Sequence, residues 1–187
     1  MAQFKLTADL ITGVGDIDEQ HRKLFSLADR LLETGESSGD RLAVMQALAF
    51  LGGYVDYHFA AEELAMCDSS YSGYVEHRTF HDSFREQVGD IAEEARNGAP
   101  AELMLRRVAS LVTDWLLTHI RLMDRAFAEY LMTQATKNSI HLPSPDRLRE
   151  AGLVPADYIV PDSLTAPLAP SSHQPGPAAA SKSPSSS

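Results

Sequence analysis

The chain has 187 residues, 44% of them hydrophobic, and a formal net charge of −10 at neutral pH. That length buries a core without covalent staples, and the single cysteine, Cys67, excludes an internal disulfide and any cysteine-based zinc or iron–sulfur site. An acidic chain repels nucleic acid and anionic membranes, so neither is expected as a partner.

Nine of the ten prolines follow residue 142, and residues 133–187 carry four basic and four acidic side chains, so the net charge resides on residues 1–132. Two regions are expected: a domain over residues 1–136 and a Pro/Ser/Ala-rich tail over residues 137–187, largely disordered. The start has no basic region followed by a continuous apolar run, and the longest mostly apolar stretch, Leu42 to Val55, is interrupted by Gln46. Neither a signal peptide nor a membrane span is expected, which makes the cytoplasm the expected compartment.

Gly13 and Gly15 break the chain before a first helix that starts at Asp16 or Asp18 and runs to about Glu33, with Ile17, Leu24, Ala28, Leu31 and Leu32 as its apolar stripe and His21 inside that stripe. The Ser- and Gly-rich stretch Gly35–Asp40 closes it and offers Asp40 as an N-cap for the next helix. A second helix, Arg41 to about Met66, carries Leu48, Leu51, Val55, His58, Glu62 and Ala65 on its inner face. The third, from Tyr71 or Tyr74 to Arg96, has Tyr74, His77, His81, Phe84, Val88, Ile91 and Ala95. Asn97-Gly98-Ala99-Pro100 ends that helix and begins a fourth running to about Met132, with Val108, Leu111, Val112, Trp115, His119, Leu122 and Ala126 inward. The spacing leaves no room for strands, so the fold class is all-α: an antiparallel up-and-down four-helix bundle, the N-terminal segment across it, followed by a Pro/Ser-rich C-terminal extension.

Seven potential metal ligands fall on or beside the inward stripes: His21, His58, Glu62, His77, His81, His119 and Asp124. Residues four apart lie roughly 40° from each other on a helix, so His58/Glu62 and His77/His81 each project from one face. A five-residue step turns roughly 140°, so His119 and Asp124 would straddle a metal. A lone histidine on an apolar stripe is more often a core residue, but Glu62 in such a stripe is costly unless paired or bound to a cation. Imidazole and carboxylate donors suit zinc, iron or copper. Seven ligands fit two ions better than one. If Glu62 and Asp124 bridge them along with one solvent oxygen, five histidines divide three and two, and one coordination position stays open. No histidine here has Glu three residues before it, unlike ferritin-like di-iron sites, and a nitrogen-rich site suits reversible binding better than strong oxidation.

Together, Gly15-Asp16-Ile17-Asp18-Glu19-Gln20-His21, His58-Phe59-Ala60-Ala61-Glu62-Glu63, His77-x-x-x-His81 with Phe84, and Trp115-Leu116-x-x-His119-Ile120-x-x-x-Asp124 resemble the bacterial hemerythrins, over roughly residues 4–131. The resemblance implies two iron ions, bridged by Glu62, Asp124 and a solvent oxygen, with His77, His81 and His119 on one iron and His21 and His58 on the other. It also implies Trp115, Leu116 and Ile120 as the lining of an oxygen pocket. Phe4 stands where these proteins often have an early Trp.

Other residues read more plainly. Glu63, about 100° round the helix from Glu62, is taken as a solvated surface acid. Asp18 either hydrogen-bonds near the site or serves as a favourable acid in a first helical turn. His141 and His173 are taken as solvated, and Cys67 as an incidental thiol. Leu142 to Leu168 holds enough apolar residues to dock on the domain or on an unknown protein partner. The function expected is reversible binding of molecular oxygen, for storage or delivery, by a monomer that is not an enzyme. The alternatives are an oxygen-sensing module signalling through the tail, and a di-iron enzyme acting on peroxide or nitric oxide.

Overall fold

A computed structural model describes residues 4, 6–38, 41–134 and 140–158. Four long helices dominate, and no strand occurs among the described residues. Helix α1 spans Gly15–Ser38, α2 Arg41–Asp68 and α3 Tyr74–Arg96. The fourth, α4, is composite: α-helical over Ala101–Ser110, Leu117–His119 and Arg125–Gln134, with π-helical turns at Leu111–Leu116 and Ile120–Asp124. Each helix packs on its sequence neighbour, and α4 closes the ring against α1.

On the first three helices most of the expected inner residues are buried, and Leu32, Tyr74 and Val88 are half-buried. Every named inner residue of α2 is buried, as are Ile17, His21, Leu24, Ala28 and Leu31 of α1. Helix α1 continues to Ser38, past the expected stop at Glu33, and the expected cap Asp40 lies outside the described residues. Gly98 ends α3 as foreseen: its φ is +94°, Gly98 N donates to Ala95 O at 3.2 Å, and Ala99 N donates to Glu94 O at 2.9 Å. Both bonds of a Schellman cap are thus present, satisfying carbonyls that α3 would otherwise leave unpaired.

Helix α4 departs from expectation. Leu122 is 59% exposed and Ala126 is also exposed, whereas Asp124, Phe127 and Ala128 are buried. The buried row Met104, Val108, Val112, Leu116, Ile120, Asp124 and Ala128 repeats every four residues. Six such steps would carry the row about 240° round an ideal α-helix. In a π-helix, where hydrogen bonds reach five residues back, each residue turns about 18° less. The six and five residues of the two π turns therefore take back about 200° of that drift and keep the row facing the core.

The N-terminal segment lies against the end of this helix. Thr12 N and Oγ1 each donate to Asp18 Oδ1 at 2.8 Å, and Gly13 N donates to Oδ2 at 3.2 Å, so Asp18 anchors the segment and takes no part in the site. Arg121 Nε donates to Asp9 Oδ2 at 2.8 Å. Phe4 stacks on Phe25 at 6.3 Å.

Residues 140–158 pack on the α1–α2 face, the first of the two dockings left open by the sequence. Leu148 is fully buried, and Leu142 and Val154 nearly so. A short helix, α5 (Pro145–Glu150), begins with Ser144 Oγ accepting from Arg147 N and with Pro145 in its first turn. Tyr158 stacks on Tyr57 at 5.7 Å and donates to Gly53 O at 3.2 Å, Arg147 pairs with Asp68 at 2.6 Å, and Leu142 N donates to Asp16 Oδ2 at 2.9 Å. His173 lies outside the described residues.

Candidate metal centre

The seven expected donors meet in the middle of the bundle, each 1% exposed or less. They form two overlapping groups: Glu62, His77, His81, His119 and Asp124 in one, and His21, His58, Glu62 and Asp124 in the other. Both carboxylates belong to both groups. Asp124 divides its oxygens, with Oδ1 at 2.8 Å from His119 Nε2 and 3.1 Å from His77 Nε2, and Oδ2 at 3.0 Å from His21 Nε2. Glu62 Oε2 lies 3.4 Å from the Nε2 atoms of both His77 and His81, and 3.9 Å from that of His58.

The π turn at Ile120–Asp124 corrects the expected geometry of one pair. At about 4.4 residues per turn, five residues advance about 50° instead of 140°, so His119 and Asp124 share a face and their donor atoms meet.

Hydrogen bonding alone does not account for this cluster. His119 Nε2 sits 3.1 Å from the Nε2 atoms of both His77 and His81 and also beside Asp124, and one ring nitrogen has at most one proton to share among them. Both nitrogens of His21, His58 Nε2 and all four carboxylate oxygens are buried without a hydrogen-bond partner. Each such atom costs about 1–3 kcal/mol, more where charged, unless a cation takes it up. The donor set is imidazole nitrogen and carboxylate oxygen throughout, which fits a first-row divalent metal.

The same crowding sets the protonation of the metal-free chain. Burial is the largest influence on His58 and pushes it down to about 3, so its ring is neutral. Burial also opposes charge on His77, but the close carboxylates of Asp124 and Glu62 outweigh it and push it up to about 10. For Glu62 and Asp124 burial favours the neutral acid, yet the surrounding histidines hold both carboxyls below their ordinary range.

Residues 12–131 match the family described as Hemerythrin HHE cation binding domain. The chain belongs to the hemerythrin family. Its relatives include the bacteriohemerythrins of Methylococcus capsulatus, 30% identical over 66% of this chain and 92% of that protein, and of Stenotrophomonas maltophilia, 30% identical over 65% and 76%. Hemerythrin subunit 2 of Golfingia vulgaris is 30% identical over 58% of this chain and 75% of its own. The crystal structure of a wild-type hemerythrin superposes with a TM-score of 0.60 at 28% identity, covering 68% of this chain and 97% of that one. Residues 140–158 lie beyond the stretch that the hemerythrin family description matches.

Two side chains of this hemerythrin domain carry more than the sequence suggested. Glu63 is not a solvated acid: its side chain is 15% exposed, and its Oε1 lies 2.9 Å from His81 Nδ1 and accepts from Arg85 Nη1 at 3.0 Å. Gln20, which no motif spacing singles out, has its Oε1 2.8 Å from His58 Nδ1. The spacing of His81 and Arg85, four apart on α3, was the available signal for the first, since it places a cation beside the ring edge that Glu63 faces. His141 is exposed, as expected, but lies 3.1 Å from Asp16. Cys67 is a free, exposed thiol. Leu116 and Ile120 are buried, and Trp115 is half-buried against His119. No helix among the described residues is long and apolar enough to cross a membrane.

Proposed function

We propose that the cluster holds two iron ions and that the protein binds molecular oxygen reversibly, storing or delivering it. The observation that carries this reading is the sharing of Glu62 and Asp124 by two buried donor groups, one with three histidines and one with two. In this reading His77, His81 and His119 would hold one iron, His21 and His58 would hold the other, and Glu62 and Asp124 would serve both. Iron held there in the ferrous state would supply the electrons for reversible oxygen binding. The protein's part is to fix the donors in advance and to exclude water, for which the buried Leu116 and Ile120, with Trp115, are the residues assigned. The test is the optical spectrum of reduced, iron-loaded protein before oxygen, after oxygen and after vacuum, with iron counted per chain. Two irons and a reversible spectral change are expected. A single zinc, or irreversible oxidation with turnover of an added substrate, overturns the reading.

A second reading, an oxygen-sensing module, draws on one observation. Residues 140–158 sit on the helices that supply His21 and His58, through Asp16, Gly53 and Tyr57. It differs from the first in requiring that oxygen binding change how this segment is held.

A further inference from the structure

Of the five histidines, two have a polar partner among the described residues on the nitrogen facing away from the cluster, and the two partners differ in charge. His58 Nδ1 faces the neutral amide of Gln20 at 2.8 Å, and His81 Nδ1 faces the carboxylate of Glu63 at 2.9 Å. The Nδ1 atoms of His21, His77 and His119 are buried without a partner. Glu63 is itself held, since Arg85 Nη1 donates to the same oxygen that faces His81 and also to Asp82 Oδ1 at 2.9 Å, while Arg85 Nε donates to Asp56 Oδ1 at 3.2 Å. The Arg85 guanidinium carbon lies 5.2 Å above the Phe59 ring, and Phe59 stacks on His81 at 3.8 Å with 9° between the planes. His81 is therefore fixed at its Nδ1 edge by Glu63 and across one face by Phe59, with Arg85 touching both restraints.

We propose that Glu63 is a positioning residue for His81 and that its charge, moderated by Arg85, makes the three-histidine half of the cluster the more strongly donating half. A carboxylate accepting from Nδ1–H fixes the tautomer that turns Nε2 toward the metal and raises the basicity of that nitrogen. An amide accepting from His58 fixes the tautomer alone. Arg85 draws on the same Glu63 oxygen, so it limits how much negative charge His81 feels. The two halves thus differ through a charge on one side that the other side lacks. This inference rests on the reading that the cluster holds two metal ions.

The variants Glu63→Ala, Glu63→Gln and Arg85→Gln separate position from charge, because the glutamine amide oxygen still accepts from Nδ1–H but carries no charge. Zinc is the probe for affinity and stoichiometry, read by competition with a chromophoric chelator. The iron-loaded protein is the probe for reduction potential. Glu63→Ala is expected to weaken one of two zinc sites by roughly 10–100-fold and leave the other within a few-fold. Glu63→Gln is expected to lose less affinity but to raise the reduction potential, and Arg85→Gln to lower it. Nitrogen shifts of the His81 ring in the zinc-loaded protein should report one fixed tautomer in wild type and in Glu63→Gln. Wild-type affinity for both zinc ions in Glu63→Ala, or potentials in the Gln variants that do not move in opposite directions, overturns the proposal. If wild type itself takes up fewer than two zinc ions, the two-metal reading has failed instead. Should Glu63→Ala not fold, the two Gln variants decide.

Discussion

The indole of Trp115 lies nearly parallel to the imidazole of His119, with 14° between the planes and 4.6 Å between the centroids. The indole is fixed from two other sides, by Phe84 at 4.5 Å and by a hydrogen bond from its Nε1 to Ser83 Oγ at 3.1 Å. On the outside, Trp115 helps to line a surface groove of about 380 Å³ between α3 and α4, together with Gln87, Ile91 and Arg107. One ring therefore partitions solvent from the ligand cluster.

This partition predicts selective effects from truncating its neighbours. Leu116→Ala should accelerate autoxidation of the oxygen-loaded protein and speed azide entry, with iron content unchanged. Leu116 is 3% exposed, so the variant should also lose about 2–5 kcal/mol of stability as any core truncation would. The two effects separate cleanly. Equal autoxidation rates at equal iron loading, with only the stability lowered, would reduce Leu116 to core packing.

Glu62 and Asp124 should matter more than any single histidine, because each belongs to both donor groups. Glu62→Ala or Asp124→Ala is expected to lose the paired site, binding fewer than two irons per chain and losing the oxygen-dependent spectrum. A variant that keeps two irons with an unchanged spectrum would disprove the bridging assignment.

Metal uptake should release a proton. In the metal-free chain His77 is pushed up to about 10, so at pH 7 its ring is charged and must lose a proton to ligate. His58 is already neutral, and the two carboxyls are already ionised. Zinc affinity should thus rise about tenfold per pH unit between pH 7 and the His77 transition. Uptake in weak buffer, followed with an indicator dye, tests this, and zinc binding without proton release would contradict it. The stability of the metal-free form follows the same groups. The His77 contribution is complete below the ordinary histidine range of about 6.5 and fades as pH rises through about 10. The contributions of Glu62 and Asp124 are present above the ordinary carboxylate range and fade as pH falls below it. His58, with its depressed value, adds to the acid sensitivity between about 6.5 and about 3.

Removing residues 139–187 should weaken the fold and spare the site. Leu142, Leu148 and Val154 are buried on the bundle, whereas all seven donors precede residue 125. Leu148→Ala alone should cost about 2–5 kcal/mol in urea unfolding. Metal stoichiometry and the optical spectrum should stay as in the full chain. A large shift in oxygen affinity on truncation would favour the sensing reading over storage or delivery.

Three helices and the inward placement of the five candidate donors on them could be read from the residues because each stripe keeps the ideal helical period, and α3 ends at a recognisable stop, Asn97-Gly98. The fourth helix defeated that reasoning past His119. Its period lengthens to four, and a reader who holds to 3.6 turns Leu122 and Ala126 inward when the structure exposes them. Glu63 departs from the expected solvated acid for a related reason. A rotation of about 100° from Glu62 does take it off the inner row, but the row of α3 beside it supplies His81 and Arg85, and contacts between helices are invisible to a single-helix projection. Residues 140–158 carried a visible apolar content, yet nothing local states which surface receives it.

The uneven winding of α4 also sets where that helix tolerates a change in length. A π turn holds one residue more than the α-helical turn it stands in for, so dropping one residue between Ile120 and Asp124 would shorten the turn and leave Phe127 and Ala128 on their present side. A deletion of one residue within Ala101–Ser110 has no such slack, and would swing everything after it about 100° round the axis, His119 and Asp124 included. Deletions in this helix are therefore absorbed or ruinous according to the turn in which they fall, and substitution tolerance alone would not reveal the difference.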